Sequence, residues 1–211
     1  MKKSINQRTL EKNPDLTGIV GYPSLEMRWF GKKTRPDWLE RIFKGRHCEC
    51  RSDYYWKIPL PDHNPDGIKW REGRLEVKQK AGELTVSDLP ERAEKWVKYA
   101  LGSMELPADD PQWIKVDKER QLVKYKLTAS GLQEVTEGHI QGSGCLIELT
   151  TLEINGAQYW TLGLEAFGDE RAKVLRQTYL RFAKDVGPGL TPELSKLEYM
   201  SYPAFLNWGS F

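Results

Sequence analysis

Lys69, Arg71, Arg74, Glu76, Lys78 and Lys80 fall on alternate positions of the segment 68–80, broken only by Glu72-Gly73. Two strands joined by such a two-residue turn have a fixed register, because side chains along a strand alternate between faces. Arg71 then lies opposite Arg74 and Lys69 opposite Glu76. One face of the hairpin is strongly cationic, while Ile68, Trp70, Leu75 and Val77 make the other face apolar. Like charges directly opposed across an antiparallel pair repel, so Arg71 beside Arg74 calls for water, a carboxylate or a bound anion between them. Taken alone, a solvated outer face accounts for the same pattern, because antiparallel sheets commonly expose one side.

A second hairpin carries the opposite charge. Segments 145–154 and 157–166 flank Asn155-Gly156, the strongest short-range hairpin signal. The register groups Glu148, Thr150, Thr161, Gly163 and Glu165 on one face and Cys145, Ile147, Leu149, Trp160, Leu162 and Leu164 on the other. Glu148 is diagonal to Glu165 at roughly 7–8 Å, a separation across which two carboxylates share one hydrated divalent cation. The same pair equally serves as ion-pair partners for lysines on neighbouring strands, since two glutamates alone do not specify a metal.

Other polar residues carry less. His47, His63 and His139 are scattered without ligand spacing. The glycine-rich stretch 138–144 precedes a strand rather than opening a helix, so it reads as a turn and not as a phosphate loop. Arg51 and Asp53 are further lining candidates, although an ion pair at an exposed strand end explains them as well. The tryptophans fall mostly on apolar faces and read as packing groups.

The elements that position these residues are mainly strands. The 211-residue chain suits a single domain over 19–211, preceded by a charged, loosely ordered lead-in over 1–18. Candidate strands cover 25–30 and 53–58, and 114–127 reads as a bent strand or a hairpin. Segment 59–67, rich in proline, aspartate and glycine, reads as a loop. The spacing predicts a helix over 90–101, opened by Pro90 and ended by Gly102. A second helix is predicted over 167–185, with Ala172, Leu175, Tyr179 and Phe182 on one face and Gly187-Pro188-Gly189 as its stop. Thr191-Pro192 reads as the start of a short closing helix, and the aromatic tail 199–211 is expected to pack onto the sheet.

A formal charge of +2 does not suggest a bulk binder of nucleic acid or membrane, so any basic site is expected to be local. Cys48, Cys50 and Cys145 cannot pair completely, and Cys48-Glu49-Cys50 is too short for a zinc knuckle, which suits a reducing, cytoplasmic location. The amino terminus lacks the apolar stretch of a signal or anchor.

Long strands with one apolar and one charged face make physical sense in a mainly β, α+β fold: an antiparallel sheet curled into a closed or nearly closed barrel, with helices outside and a wet, ionic interior. Arginine in such a lumen binds phosphate oxygens bidentately, lysine adds point charge, and carboxylates hold Mg²⁺ or Mn²⁺.

The chain resembles the triphosphate tunnel, or CYTH, superfamily over most of 25–167. The matching parts are Leu25-Glu26-Met27-Arg28, Ile68-Lys69-Trp70-Arg71 with Leu75-Glu76-Val77-Lys78, Lys118-Glu119-Arg120, and Ile147-Glu148-Leu149 with Leu164-Glu165-Ala166. The resemblance implies an eight-stranded closed barrel. It implies triphosphate binding by Arg28, Lys69, Arg71, Arg74, Lys78, Lys118 and Arg120, with Arg51, Asp53 and Glu76 behind them. It also implies Mg²⁺ or Mn²⁺ at Glu26, Glu148 and Glu165, and hydrolysis of inorganic triphosphate, thiamine triphosphate or a nucleoside triphosphate. The opening strand departs from the family's Glu-x-Glu-x-Lys: Arg28 occupies the second acidic position, which opposes a cation there and favours an anion. Three readings follow: a metal-dependent phosphohydrolase, a catalytically silent barrel that binds a phosphorylated or polyanionic ligand, and a barrel filled by its own ion pairs.

Overall fold

A computed structural model describes residues 20–32, 34–57, 66–103, 105 and 110–208. The expected lead-in over 1–18 and most of the expected loop over 59–67, His63 included, lie outside the described residues. In chain order the elements are β1 (Gly21–Lys32), α1 (Asp37–Phe43), β2 (Cys48–Trp56), β3 (Gly67–Arg71), β4 (Arg74–Leu84), β5 (Ala93–Ser103) and β6 (Trp113–Thr128). They continue with β7 (Gly131–Glu134), β8 (Gly144–Ile154), β9 (Ala157–Phe167), α2 (Arg171–Val186), α3 (Leu190–Leu194), β10 (Glu198–Tyr199) and α4 (Tyr202–Trp208).

Eight strands close on themselves in the order β1-β5-β4-β3-β2-β6-β8-β9, and β9 returns to β1 through antiparallel pairs such as Glu26 with Glu165 and Arg28 with Gly163. Strand β7 is added to β6, and β10 to the far end of β1. Closure removes the sheet edges that would otherwise expose unpaired backbone. Both predicted hairpins hold in register: Arg71 faces Arg74, Lys69 faces Glu76, and Glu148 faces Gly163. Their turns have positive φ at both central residues, 50° and 79° at Glu72-Gly73 and 49° and 77° at Asn155-Gly156, the twist that suits two-residue hairpins.

The main apolar core lies outside the barrel wall. Leu25, Met27, Trp29, Ile147, Leu149, Leu162 and Leu164 point outward and are covered by Val174, Leu175, Tyr179 and Phe182 of α2 and by Leu39 and Phe43 of α1. The predicted second helix is α2, beginning a few residues later than its apolar spacing suggests.

The helix expected over 90–101 is instead β5, paired with both β1 and β4. Good helix formers occupy this stretch, but helix propensities differ by only tenths of a kcal/mol per residue. Without β5, the inner edges of β1 and β4 would have no partner. Trp96, Val97 and Tyr99 also suit a pleated, half-buried surface. Segment 114–127 lies within one continuous sixteen-residue strand, β6.

The aromatic tail does more than pack on the sheet. A second cluster joins Phe30, Tyr55, Ile114, Val116, Leu152 and Ile154, all on the inner face of their strands, to Phe205 and Leu206 of α4. The Phe205 ring stacks on Phe30 at 4.0 Å, and Tyr202 stacks on Tyr55 at 5.9 Å. Helix α4 therefore fills one end of the barrel. Among the described residues no helix is long and apolar enough to cross a membrane.

Candidate functional site: a charged, floored lumen

Because inward positions recur every second residue, the registers line the lumen above the α4 floor with side chains from all eight barrel strands. These are Glu26 and Arg28 from β1, Arg51 and Asp53 from β2, Lys69 and Arg71 from β3, Glu76 and Lys78 from β4, Lys98 from β5, Lys118 and Arg120 from β6, Glu148 and Thr150 from β8, and Glu165 from β9. Across neighbouring strands Glu26 is paired with Glu165, Lys69 with Glu76, Lys78 with Lys98 and Arg51 with Lys118. Glu49 and Arg74 stand at the mouth. Every binding or metal candidate named from the sequence, Arg51, Asp53 and Glu76 included, thus belongs to one lumen, with Arg74 at its exposed rim.

Many of these charges neutralise one another. Arg28 Nη1 donates to Glu148 Oε1 at 2.8 Å, and Arg120 Nη1 to Glu148 Oε2 at 3.3 Å. Arg120 Nη2 also reaches Glu49 at 2.6 Å. Glu76 accepts from Lys69 at 3.0 Å and from Arg71 at 2.8 Å, which is how Arg71 tolerates Arg74 opposite it. Glu26 accepts from Lys78 and, at 2.7 Å, from Ser24. Asp53, fully buried, lies 2.8 Å from Lys118, 3.5 Å from Arg51 and 3.9 Å from Lys69.

Positive charge is nevertheless in excess. Along the lumen, nine cationic side chains (Arg28, Arg51, Lys69, Arg71, Arg74, Lys78, Lys98, Lys118 and Arg120) stand against six carboxylates (Glu26, Glu49, Asp53, Glu76, Glu148 and Glu165). Lys98 and Arg74 have no ion pair among the described residues. Burial works to raise the carboxyls of Asp53 and Glu148, but the surrounding cations outweigh it and hold both well below the usual carboxylate range. Lys118 shows the opposite imbalance: burial pushes its ammonium down to about 7, and neighbouring Lys69 adds to the effect despite Asp53. Its Nζ donates to the Tyr55 hydroxyl at 2.7 Å and sits 4.1 Å from the centre of the Tyr202 ring. The Arg28 guanidinium lies 4.6 Å from the same ring. Arg51 Nε, Arg120 Nε, Thr150 Oγ1 and the Tyr202 hydroxyl are buried and have no hydrogen-bond partner among the described residues.

The acidic residues divide into two kinds. Glu148 is occupied by two arginines. Glu26 and Glu165 face each other across β1 and β9, and burial together with the Glu26 charge raises the Glu165 carboxyl above its ordinary value. Among the described residues, no three His, Cys, Asp or Glu side chains converge on a common metal position.

Several lumen groups carried no separate signal in the sequence. Tyr55 follows from the parity of Arg51 and Asp53, four and two residues before it. Lys98 was hidden by the helical reading of its segment. Tyr202 projects from a short helix distant in sequence, and only the folded chain shows where it points. Cys48 and Cys50 are exposed on the outer face of β2, Cys145 is buried behind β8, and none forms a disulfide.

No family model and no curated protein matches the chain. Solved structures similar to it include a conserved hypothetical protein from Pyrococcus furiosus, 15% identical, with 85% of this chain and 98% of that one covered at a TM-score of 0.41. Another is the S. pombe Pct1 RNA triphosphatase in complex with the Spt5 CTD, 10% identical, with 83% and 82% covered at a TM-score of 0.36. At these scores the similarity assigns no role to any residue of the lumen.

Proposed function

We propose that the lumen binds a triphosphate-type polyanion, and the observation that carries this reading is the excess of cationic over acidic side chains along it. Nine cationic side chains around six carboxylates, in a lumen closed below by α4, form a stable arrangement once an anion supplies the missing negative charge. Arg120 Nε and the Thr150 hydroxyl, which have no hydrogen-bond partner among the described residues, would serve as donors to phosphate oxygens. The residue pattern shared with the triphosphate tunnel superfamily supports the same ligand class, whether inorganic triphosphate, thiamine triphosphate or a nucleoside triphosphate.

Hydrolysis is the second reading, and the Glu26–Glu165 pair favours it. Carboxylates forced together, with one pKa raised, are stabilised by a shared dication. Glu26 and Glu165 would hold Mg²⁺ or Mn²⁺; Glu148, committed to Arg28 and Arg120, does not fit that role. A bound dication would neutralise charge on the phosphate oxygens. The protein's own residues bind and orient the chain, and α4 excludes water from below.

Thermal-shift titration with inorganic tripolyphosphate in chelator, followed by phosphate-release assays with Mg²⁺, tests both readings. Ligand at about a hundred times its Kd stabilises by ~2.7 kcal/mol, a readily measured shift. A shift without release leaves a binding protein, and a shift with Mg²⁺-dependent release makes it a hydrolase. No shift in either condition leaves the barrel filled by its own ion pairs.

A further inference from the structure

We infer that Cys48 and Cys50 form a two-thiolate site for a soft monovalent cation of the Cu(I) class on the outer wall of the barrel. The site is independent of the lumen and of the ligand proposed for it.

Strand parity places the two thiols together. Cys48 and Cys50 open β2, both are exposed on the face opposite Arg51 and Asp53, and neither is in a disulfide. Strand β6 holds their backbones, pairing Gln121 with Cys48 and Glu119 with Cys50. The Gln121 amide donates to the carbonyls of Phe43 and Arg46, both at 3.2 Å, and so ties down the turn that leads into Cys48.

That spacing separates the two products such a pair can form. Cα atoms two residues apart on a strand stand about 6.6–6.8 Å apart, at the far limit of disulfide geometry, whose commonest value is about 5.5–6 Å. A disulfide also draws its sulfurs to about 2.05 Å. In a linear sulfur–metal–sulfur bridge, with metal–sulfur bonds of about 2.3 Å as in a zinc thiolate, the sulfurs stand about 4.6 Å apart, and the strand stays straight.

The surroundings select the cation. Among the described residues no third His, Cys, Asp or Glu side chain converges on the pair, which leaves a four-coordinate zinc ion short of donors and suits a soft monovalent ion that two thiolates satisfy. Slight burial, the Cys50 thiol and the Glu119 carboxylate raise the Cys48 thiol above its ordinary value, with Arg35 opposing them. A protonated thiol is a poor nucleophile towards peroxides, whereas a thiophilic cation displaces its proton. Binding forms two metal–sulfur bonds, releases both thiol protons to solvent and leaves a complex with one negative charge. Cys48 lines a cleft of about 510 Å³ together with Arg35, Lys44 and Glu119, which gives an ion access from solvent. Arg35 and Lys44 offset the charge of the complex.

The test titrates the full-length, reduced protein anaerobically with Cu(I) buffered by bicinchoninate, alongside Cys48→Ser, Cys50→Ser and Cys145→Ser. Wild type is expected to withdraw one Cu(I) per chain from the chelator without a change of oligomeric state, and to protect both Cys48 and Cys50 from alkylation, read by peptide mass spectrometry. Cys48→Ser and Cys50→Ser are each expected to weaken binding at least about a hundredfold, because losing either donor loses the chelate. Cys145→Ser removes a thiol buried behind β8 and is expected to bind as wild type does. Wild-type affinity in either Cys48→Ser or Cys50→Ser would show two independent thiols and overturn the site. One Cu(I) shared between two chains, or no withdrawal of Cu(I) by wild type, would overturn it equally.

Discussion

The guanidinium of Arg28 lies directly over the α-carbon of Gly163, its register partner on β9: a Cβ added at Gly163 would stand 2.6 Å from Arg28 Cζ. The missing side chain is what lets Arg28 cross the lumen wall to Glu148, the opposite neighbour of Gly163 on β8. We predict that Gly163→Ala displaces Arg28 and costs about 1–3 kcal/mol, the usual range for overpacking a filled site. Chemical denaturation checks the cost, and tripolyphosphate affinity should fall with it. Wild-type stability and affinity in this variant would mean that Arg28 has room to spare.

Glu148 holds buried Arg28 and partly buried Arg120, so its neutralisation leaves both short of a partner. Glu148→Gln is predicted to destabilise by about 3–5 kcal/mol, the range for breaking a buried ion pair from one side. Because a bound polyanion supplies negative charge to the same arginines, tripolyphosphate should raise the Tm of this variant more than that of wild type. Equal shifts would separate Arg28 and Arg120 from the ligand.

Glu165 gives the opposite sign. Its carboxyl is raised by burial and by Glu26, so at pH values where it ionises it costs the folded state free energy. Glu165→Gln is predicted to raise Tm in chelator and to remove any stabilisation produced by Mg²⁺. A lower Tm in chelator would show that Glu165 has a favourable partner in solution.

The pH dependence of binding should report Lys118. Its folded pKa of about 7 lies below the ordinary lysine value of roughly 10.4, so between them the folded protein holds fewer protons than the unfolded chain. From this group, stability increases as pH rises through that window. An anion beside Lys118 raises its pKa, so binding near about pH 8 is predicted to take up close to one proton, and binding near about pH 6, where Lys118 is already protonated, almost none. Calorimetry in buffers of different ionisation enthalpy measures the uptake, and Lys118→Met should abolish it. A buffer-independent enthalpy near pH 8 would contradict the prediction.

Much of this lumen was legible before folding because strand periodicity is local and strict. Glu72-Gly73 and Asn155-Gly156 set two registers, and those registers placed Lys69, Arg71, Glu76, Lys78, Glu148 and Glu165 on the inner face as the structure has them. Two things were not legible. The segment containing Trp96 and Lys98 is built from helix formers, and only the need to pair β1 with β4 makes it a strand. Which charge neutralises which also depends on non-neighbouring strands. The Arg28–Glu148 contact joins residues 120 positions apart, and its consequence, a carboxylate shared by two arginines, appears only when the barrel closes.

The most direct measurement is a calorimetric titration of wild type and Lys69→Ala with inorganic tripolyphosphate in chelator at moderate salt. The account predicts one saturable site per chain in wild type. It also predicts affinity weakened by about 1.5–3 kcal/mol in Lys69→Ala, the usual contribution of a hydrogen bond to a charged group. An absence of saturable binding in wild type, or unchanged affinity in Lys69→Ala, would contradict the claim that this lumen is a polyanion site.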